Sequence, residues 1–148
     1  MPTVKAVSVS TEKGTRKTPV PEITIKENYG IEGDAHADCT WHRQVSLLAD
    51  ESIDKMRGQG MELNSGDFAE NITTTGVVLN TLPIGTVFRI GKDVILELTQ
   101  IGKECHASCE IRTIIGDCIM PREGIFTKVI HGGKVKAGDE IKVEKPGG

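Results

Sequence analysis

The chain has 148 residues, of which 37% are hydrophobic and 3% aromatic, and its 18 basic and 21 acidic side chains give a net charge of −3. This length suits a single domain over residues 1–148, which can bury enough surface to fold without disulfide staples. The balanced charge, without a basic stripe interleaved with aromatics, argues against general nucleic-acid binding. No apolar run approaches the roughly 20 residues that cross a bilayer, and the N-terminus lacks a signal-peptide pattern, so we expect a cytoplasmic protein.

The first third of the chain alternates short strand patterns with turns. Thr3–Ser10 alternates with period two and predicts a strand, whereas Thr11–Pro21 is polar and rich in turn residues and predicts an exposed loop. Glu22–Lys26 predicts a second strand. The stretch ENYGIEGDAHADCTWH that follows has no clear period, and Gly30 and Gly33 in it indicate backbone turns that other residues would resist.

One helix is predicted in the middle of the chain. RQVSLL, at Arg43–Leu48, has the composition of a strand. Ala49–Gly60 then carries acidic residues at its start, basic residues later and glycines at its end, which is the charge order of a helix. Ser65–Gly76, SGDFAENITTTG, turns into another strand.

The second half contains one device twice. Leu82–Ile90 (LPIGTVFRI) and Val135–Val143 (VKAGDEIKV) share the pattern apolar–x–x–Gly–polar–x–apolar–x–apolar, a tight turn that enters a strand with one buried face. Between them, Asp93–Ile101 is the most apolar strand pattern and is expected to be central, and Gly124–Ile130 predicts a further strand followed by a hairpin-like turn at HGGK. With about eight strands and one clear helix, the predicted fold is mainly β with minor α.

Three of the four cysteines lie in one segment, Gln100–Pro121, with the sequence QIGKECHASCEIRTIIGDCIMP. A strand that ends near Ile101 would deliver this segment to a strand-to-loop junction, where rigid scaffolds often present reactive groups. If a helix begins here, Cys105 and Cys109 stand four positions apart on one face, with Arg112 near the same face.

The neighbours of Cys105 favour a reactive thiolate. A helix N-terminus lowers the pKa of a thiol, and the nearby Lys103 and His106 act in the same direction, whereas Glu104 opposes them. The thiolate is the nucleophile in sulfur transfer. Because thiols stay reduced in the cytoplasm unless they serve redox, metal or nucleophilic chemistry, a disulfide framework is the least favoured interpretation.

Two other interpretations of the cysteines stay open. Free cysteine often fills apolar space, an explanation that suits Cys39 and Cys118 best. A zinc site assembled across the fold is the second alternative, although no Cys-x2-Cys pair occurs and we assign no metal ligand. Its candidate ligands would be His36, Cys39, His42, Cys105, His106, Cys109 and Cys118.

Four acidic residues are weaker catalytic candidates. Asp34, Asp38, Asp67 and Glu70 could act as catalytic carboxylates, but the sequence favours a turn at Asp67, beside a glycine, and solvated positions for the other three. No Gly-x-Gly-x-x-Gly or P-loop pattern occurs, so the chain signals no nucleotide site.

Five motifs, taken in order, resemble the MOSC domain, the family named for the C-terminal part of molybdenum cofactor sulfurases. They are GIEGDAHAD…RQVSLL, GDFAENITTTG, LPIGTVFRIG, LELTQIGKEC and GIFTKVIHGGKVKAGDEI, and the match extends over Val4–Val143. The extra elements CHASCEI and GDCIMPREG are similar to those of the small stand-alone bacterial members. The resemblance implies a mixed, largely β barrel with one or two helices.

The resemblance also implies a role in sulfur handling. The family cysteine lies five residues after the glutamine that ends the apolar strand; here that glutamine is Gln100 and the cysteine is Cys105. It would carry sulfane sulfur as a persulfide for the maturation of sulfur–metal cofactors, and Cys109 or Cys118 would resolve it. Many relatives have Arg-x-Pro before this cysteine, where this chain has Gly-Lys-Glu.

The implied ligand is the molybdenum cofactor (molybdopterin), and the implied partners are two kinds of protein. Lys103, His106, Arg112 and Arg122 are the candidates to hold the anionic pterin phosphate, and GIEGDAH would line the rim of the cavity. A pyridoxal-phosphate-dependent cysteine desulfurase would donate the sulfur, and a molybdoenzyme or a cofactor-biosynthesis protein would receive it. This chain has no pyridoxal-phosphate site of its own. The alternatives are a non-catalytic molybdopterin-binding carrier and a metal-binding scaffold.

Overall fold

Strands make up most of the regular structure. The structure, a computed structural model, describes residues 2–10, 17–34, 44–58, 65–66, 70–77, 79–101 and 124–145. The strands are β1 (Thr3–Val9), β2 (Thr18–Val20), β3 (Glu22–Lys26), β4 (Gly30–Ile31), β5 (Val45–Ala49), β6 (Ile72–Thr75), β7 (Val87–Ile90), β8 (Val94–Ile101), β9 (Ile125–His131), β10 (Gly133–Lys136) and β11 (Ile141–Lys145). One α-helix, α1, spans Asp50–Arg57, and a 3-10 turn spans Leu79–Thr81. The mainly β class with minor α is confirmed.

The strands form two sheets. The larger has eight strands in the order β11-β7-β8-β9-β5-β6-β1-β2, and the smaller has three in the order β10-β3-β4. Strands β5 and β6 are parallel, and α1 connects them in the chain. The other described strand pairs are antiparallel. The sheet is therefore mixed, as predicted.

Backbone contacts bring β11, at one edge of the large sheet, back to β1. Thr3 and Glu140 form an antiparallel bridge. Beside it, the Val4 N–H donates to the Asp139 carbonyl at 2.8 Å, and the Ile141 N–H donates to the Pro2 carbonyl at 2.9 Å. In the large sheet, seven strands lie in the order β11-β7-β8-β9-β5-β6-β1, and these contacts bring the first of them back to the last. The seven strands therefore curve around a common core, although the contacts form a bridge and not a full strand pair.

The core is aliphatic, as the scarcity of aromatics predicts. Its buried members come from both sheets, and Phe88 is the largest fully buried side chain. Strand β8 alternates buried and half-buried residues along most of its length and lies between β7 and β9, which confirms the prediction of a central strand. Burial of these Val, Ile and Leu side chains is the main force that holds the sheet together.

The duplicated turn-and-strand device forms two neighbouring strands. Gly85 and Gly138 have φ angles of 93° and 95°, the left-handed region that glycine reaches without strain. The strands after them, β7 and β11, pair with each other in antiparallel register, with Ile90 opposite Ile141. The repeated sequence thus builds two adjacent strands of one sheet.

Three predictions about local structure need correction. Within the predicted loop Thr11–Pro21, residues Thr18–Val20 form β2 and pair with β1, because an edge position accepts a strand with proline in it. The aperiodic stretch contributes the short strand Gly30–Ile31. The hairpin-like turn predicted at HGGK is not a hairpin: Gly132 alone separates β9 from β10, and β10 pairs with β3 and does not fold back on β9.

No helix in the described ranges is both long enough and apolar enough to pass through a membrane.

Candidate functional site

All seven residues predicted for the sulfur and cofactor site fall in residues 102–123. Cys105, Cys109, Cys118, Lys103, His106, Arg112 and Arg122 therefore lie outside the residues that the structure describes. The alternative zinc ligands His36, Cys39 and His42 lie outside them as well. Within the described ranges, no three Cys, His, Asp or Glu side chains are grouped closely enough to hold a metal ion. The convergence of the three cysteines stays a prediction.

The structure does fix the two ends of the cysteine-bearing segment. Strand β8 ends at Ile101 and β9 begins at Ile125, and these two residues are paired across neighbouring antiparallel strands. Ile125 is also paired with Leu47 of β5. The chain thus leaves the central part of the large sheet at Ile101 and rejoins it at Ile125, its partner on the neighbouring strand. Both residues lie at the end of the sheet where β5 leads into α1. We call this end, defined by Ile101, Ile125 and Ala49, the cysteine end.

Charged groups near the start of α1 also belong to the cysteine end. The Lys5 ammonium donates to Asp50 Oδ2 at 2.8 Å, and the Asp50 side chain is only 11% exposed. The Gly76 N–H donates to Glu51 Oε2 at 2.8 Å. These two acids open α1, where their negative charge favours the N-terminus of the helix, as the sequence predicted.

The opposite end of the same strands contains a buried ion pair. Lys17 Nζ lies 2.7 Å from Asp34 Oδ1, and both side chains have no exposed surface. The same carboxylate oxygen accepts the Ser10 N–H at 3.0 Å, and Lys17 Nζ also donates to the Ser10 hydroxyl at 3.3 Å. We call this end, defined by Ser10, Lys17 and Asp34, the polar end. The prediction that Asp34 is solvated is wrong, because Lys17 supplies the charge that lets a carboxylate be buried.

A second buried network lies beside this pair. Asn71 Oδ1 accepts both the Ser46 N–H at 3.0 Å and the Ser46 hydroxyl at 3.1 Å, and the Asn71 N–H donates to the Ser46 hydroxyl at 3.0 Å. The Asn71 side-chain amide donates to the Ser8 carbonyl at 3.3 Å, so Asn71 joins β5, β6 and β1. Glu70 is fully buried and accepts the Thr73 hydroxyl at 2.9 Å, which corrects its predicted solvated position.

A surface cleft of about 480 Å³ lies between the β7–β8 turn and β10. Its charged side chains are Glu22, Lys92, Asp93, Lys134, Lys136 and Asp139. The three positive and three negative charges balance, and Lys136 lies 2.9 Å from Asp139, whose hydrogen bond and charge raise the pKa of the lysine. The cleft adjoins Asp93, at the opposite end of β8 from Ile101. It is therefore separate from the cysteine end.

A family comparison decides what kind of domain this is. The family model described as the MOSC domain matches residues 32–142, about three quarters of the chain. This chain belongs to the MOSC domain family. The resemblance inferred from the five sequence motifs is thereby confirmed.

Solved structures share the MOSC fold of this chain at low sequence identity. The YuaD protein from Bacillus subtilis is 16% identical, with a TM-score of 0.76 over 95% of this chain and 94% of that one. YiiM from Escherichia coli is 18% identical, with a TM-score of 0.68 over 98% and 71%. YiiM from Geobacillus stearothermophilus is 15% identical, with a TM-score of 0.71 over 98% and 76%. No curated protein sequence matches the chain.

The two buried acids, Asp34 and Glu70, belong to motifs that resemble the MOSC family. Asp34 and Glu70 both lie within the matched range and within two of the motifs that resemble the family, GIEGDAHAD and GDFAENITTTG. In this MOSC domain these motifs supply the ion pair and the hydrogen-bonded glutamate near the polar end. The GIEGDAH motif was predicted to line a cavity rim; its described residues form β4 and a turn that ends in a buried aspartate.

Proposed function

We propose that this MOSC protein carries sulfane sulfur as a persulfide on Cys105 for the maturation of a sulfur–metal cofactor. The observation that supports this most is the match of the family model across 32–142, which includes the whole cysteine-bearing segment. The pairing of Ile101 with Ile125 supports it further, because both ends of that segment are held by the central strands of a rigid sheet.

Chain geometry limits how far the proposed sulfur carrier is from the sheet. Cys105 follows Ile101 by four positions, so its Cα is within about 14 Å of the end of β8, whatever the conformation between them. A donor protein that reaches this thiol therefore approaches the cysteine end. The cleft near Asp93 begins at the far end of the eight-residue strand β8 and has balanced charge, so it is the less suitable place for the reaction.

The chemistry requires one nucleophile and one resolving thiol. The Cys105 thiolate attacks the outer sulfur of a donor cysteine persulfide, the donor S–S bond breaks, and the donor cysteine leaves as a thiolate. Cys105 then holds the sulfur as its own persulfide, with no net oxidation. A second thiol, Cys109 or Cys118, attacks the inner sulfur of that persulfide; a protein disulfide forms, and the outer sulfur leaves as sulfide to the recipient.

The molybdenum cofactor is the proposed context for this delivery. The anionic phosphate of this cofactor would be held by Lys103, His106, Arg112 and Arg122, since cationic side chains bind phosphate. Basic groups near the thiol would also favour its thiolate form. Lys5, a described cation at the same end of the sheet, is bonded to Asp50. The proposal therefore assigns the cofactor phosphate to the predicted cations of residues 102–123. A cysteine desulfurase would be the donor, and a molybdoenzyme or cofactor-biosynthesis protein the recipient.

Mass spectrometry of the intact protein tests the proposal. After incubation with a cysteine desulfurase and cysteine, wild-type protein should gain the mass of one sulfur atom and lose it on treatment with a reductant. Cys105→Ser should not gain it, whereas the matched control Cys39→Ser, which changes the cysteine outside the segment, should load like wild type.

Two outcomes would count against the sulfur carrier. Wild-type protein that stays unmodified would contradict it, and so would a Cys105→Ser variant that loads normally. If wild type stays unmodified while wild type and Cys105→Ser bind isolated molybdopterin equally well, the non-catalytic cofactor carrier becomes the better explanation.

A further inference from the structure

The ion pair between Lys17 and Asp34 is fully buried. We propose that it is a conformational clamp, which selects one arrangement of the chain at the polar end and adds little to the stability of the sheet. This inference concerns the end of the strands opposite to Cys105 and does not depend on the sulfur-carrier proposal.

Burial makes this pair a poor source of stability but a good source of selectivity. Removing two charges from water costs about as much as their attraction returns, so a buried pair often contributes little net free energy. Any arrangement that separates the two groups within the protein, however, leaves a charge in a medium of low polarity. Alternative placements of the chain are therefore penalised far more than they would be around an apolar pair.

The clamp joins segments that are far apart in sequence. Ser10 follows β1, Lys17 precedes β2, and Asp34 follows β4; each contributes an atom to the pair or to its hydrogen bonds. The Lys17 N–H also donates to the Gly66 carbonyl at 2.8 Å. Three parts of the chain thus meet at the charged contact, and the part at Gly66 is bonded to the backbone of one of its members.

The residues that flank the clamp show which segments of the chain it positions. Residues 11–16 connect Ser10 to Lys17, so the clamp fixes both ends of that connection. Asp34 is the last described residue before 35–43, the part of the chain that contains His36, Cys39 and His42. The starting point of that polar segment is therefore set by the clamp.

Hydrogen exchange in an uncharged variant separates selectivity from stability. Lys17→Met/Asp34→Val replaces the pair with apolar side chains of similar size. The matched control is Lys134→Met/Glu22→Val, which removes an exposed pair separated by 3.9 Å. We expect the Lys17/Asp34 double variant to unfold near the wild-type temperature, while its amides at positions 17 and 34, whose acceptors are the Gly66 and Ile31 carbonyls, exchange at least about tenfold faster. Amides of β8 and β9 should stay within about twofold of wild type, and the control should change neither quantity.

The single variant Lys17→Met completes the test. It leaves the Asp34 carboxylate buried without the ammonium, so its unfolding temperature should fall, and addition of Asp34→Val should restore it. Three results would overturn the clamp: a double variant that remains as unstable as the single variant, amides at 17 and 34 that stay as protected as in wild type, or an equal increase of exchange throughout the sheet.

Discussion

A single methyl group added at Gly66 should strongly destabilise the protein. A Cβ added there would lie 2.3 Å from the Lys17 carbonyl oxygen and 3.1 Å from the Ser8 hydroxyl, and Gly66 has a φ of 90°. Both the backbone conformation and the close approach therefore exclude a side chain. The conformation alone costs a non-glycine residue about 1–2 kcal/mol. Forcing backbone atoms apart in a packed region adds about 1–3 kcal/mol, so Gly66→Ala should lower the free energy of unfolding by about 3 kcal/mol or more.

Gly138 provides the matched control for this prediction. Its φ is 95°, almost the same as at Gly66, but a Cβ at Gly138 would have no heavy atom within 4 Å. Gly138→Ala should therefore show only the backbone cost, about 1–2 kcal/mol. Urea unfolding of both variants measures the two free energies. If Gly66→Ala is no more destabilising than Gly138→Ala, the close approach to Lys17 contributes nothing and the reasoning is refuted.

Three further changes test the core, the buried network and one surface pair. Phe88→Ala should reduce the free energy of unfolding by about 3–5 kcal/mol in urea titrations, because it removes the largest fully buried side chain of the described residues and leaves a cavity. A loss below about 1 kcal/mol would contradict that role. Asn71→Leu removes the acceptor of two Ser46 donors and should cost about 2–3 kcal/mol by the same assay, whereas an unchanged midpoint would show that the network is dispensable. The hydrogen bond to Asp139 raises the pKa of Lys136, so an NMR titration should place this pKa above its ordinary value and Asp139→Asn should lower it. Since the folded-state pKa is the higher one, any stabilisation from this pair is complete at neutral pH and is lost as the pH rises through that pKa; identical titration curves for the two proteins would exclude the interaction.

Local patterns in the sequence determined most of the strands, the helix and the turns. The apolar strand composition of Asp93–Ile101 predicted β8, and the acidic start of Ala49–Gly60 predicted α1. Glycine at 85 and 138 predicted two tight turns because few other residues adopt positive φ without strain. Each of these signals depends on neighbouring residues alone, so it can be interpreted without knowledge of the tertiary structure.

Tertiary structure decided which polar residues are buried and which strands are partners. Nothing near Lys17 or Asp34 in the sequence distinguishes a buried ion pair from two solvated charges, because the partner that makes burial tolerable is 17 positions away. Likewise β10 follows β9 directly but pairs with β3, a strand more than 100 residues earlier in the chain. The cysteine-bearing segment depends on both local sequence and tertiary structure. Its sequence suggests the chemistry of Cys105. The tertiary structure defines where the segment leaves and rejoins the sheet, since strand pairing joins residues that are distant in the chain.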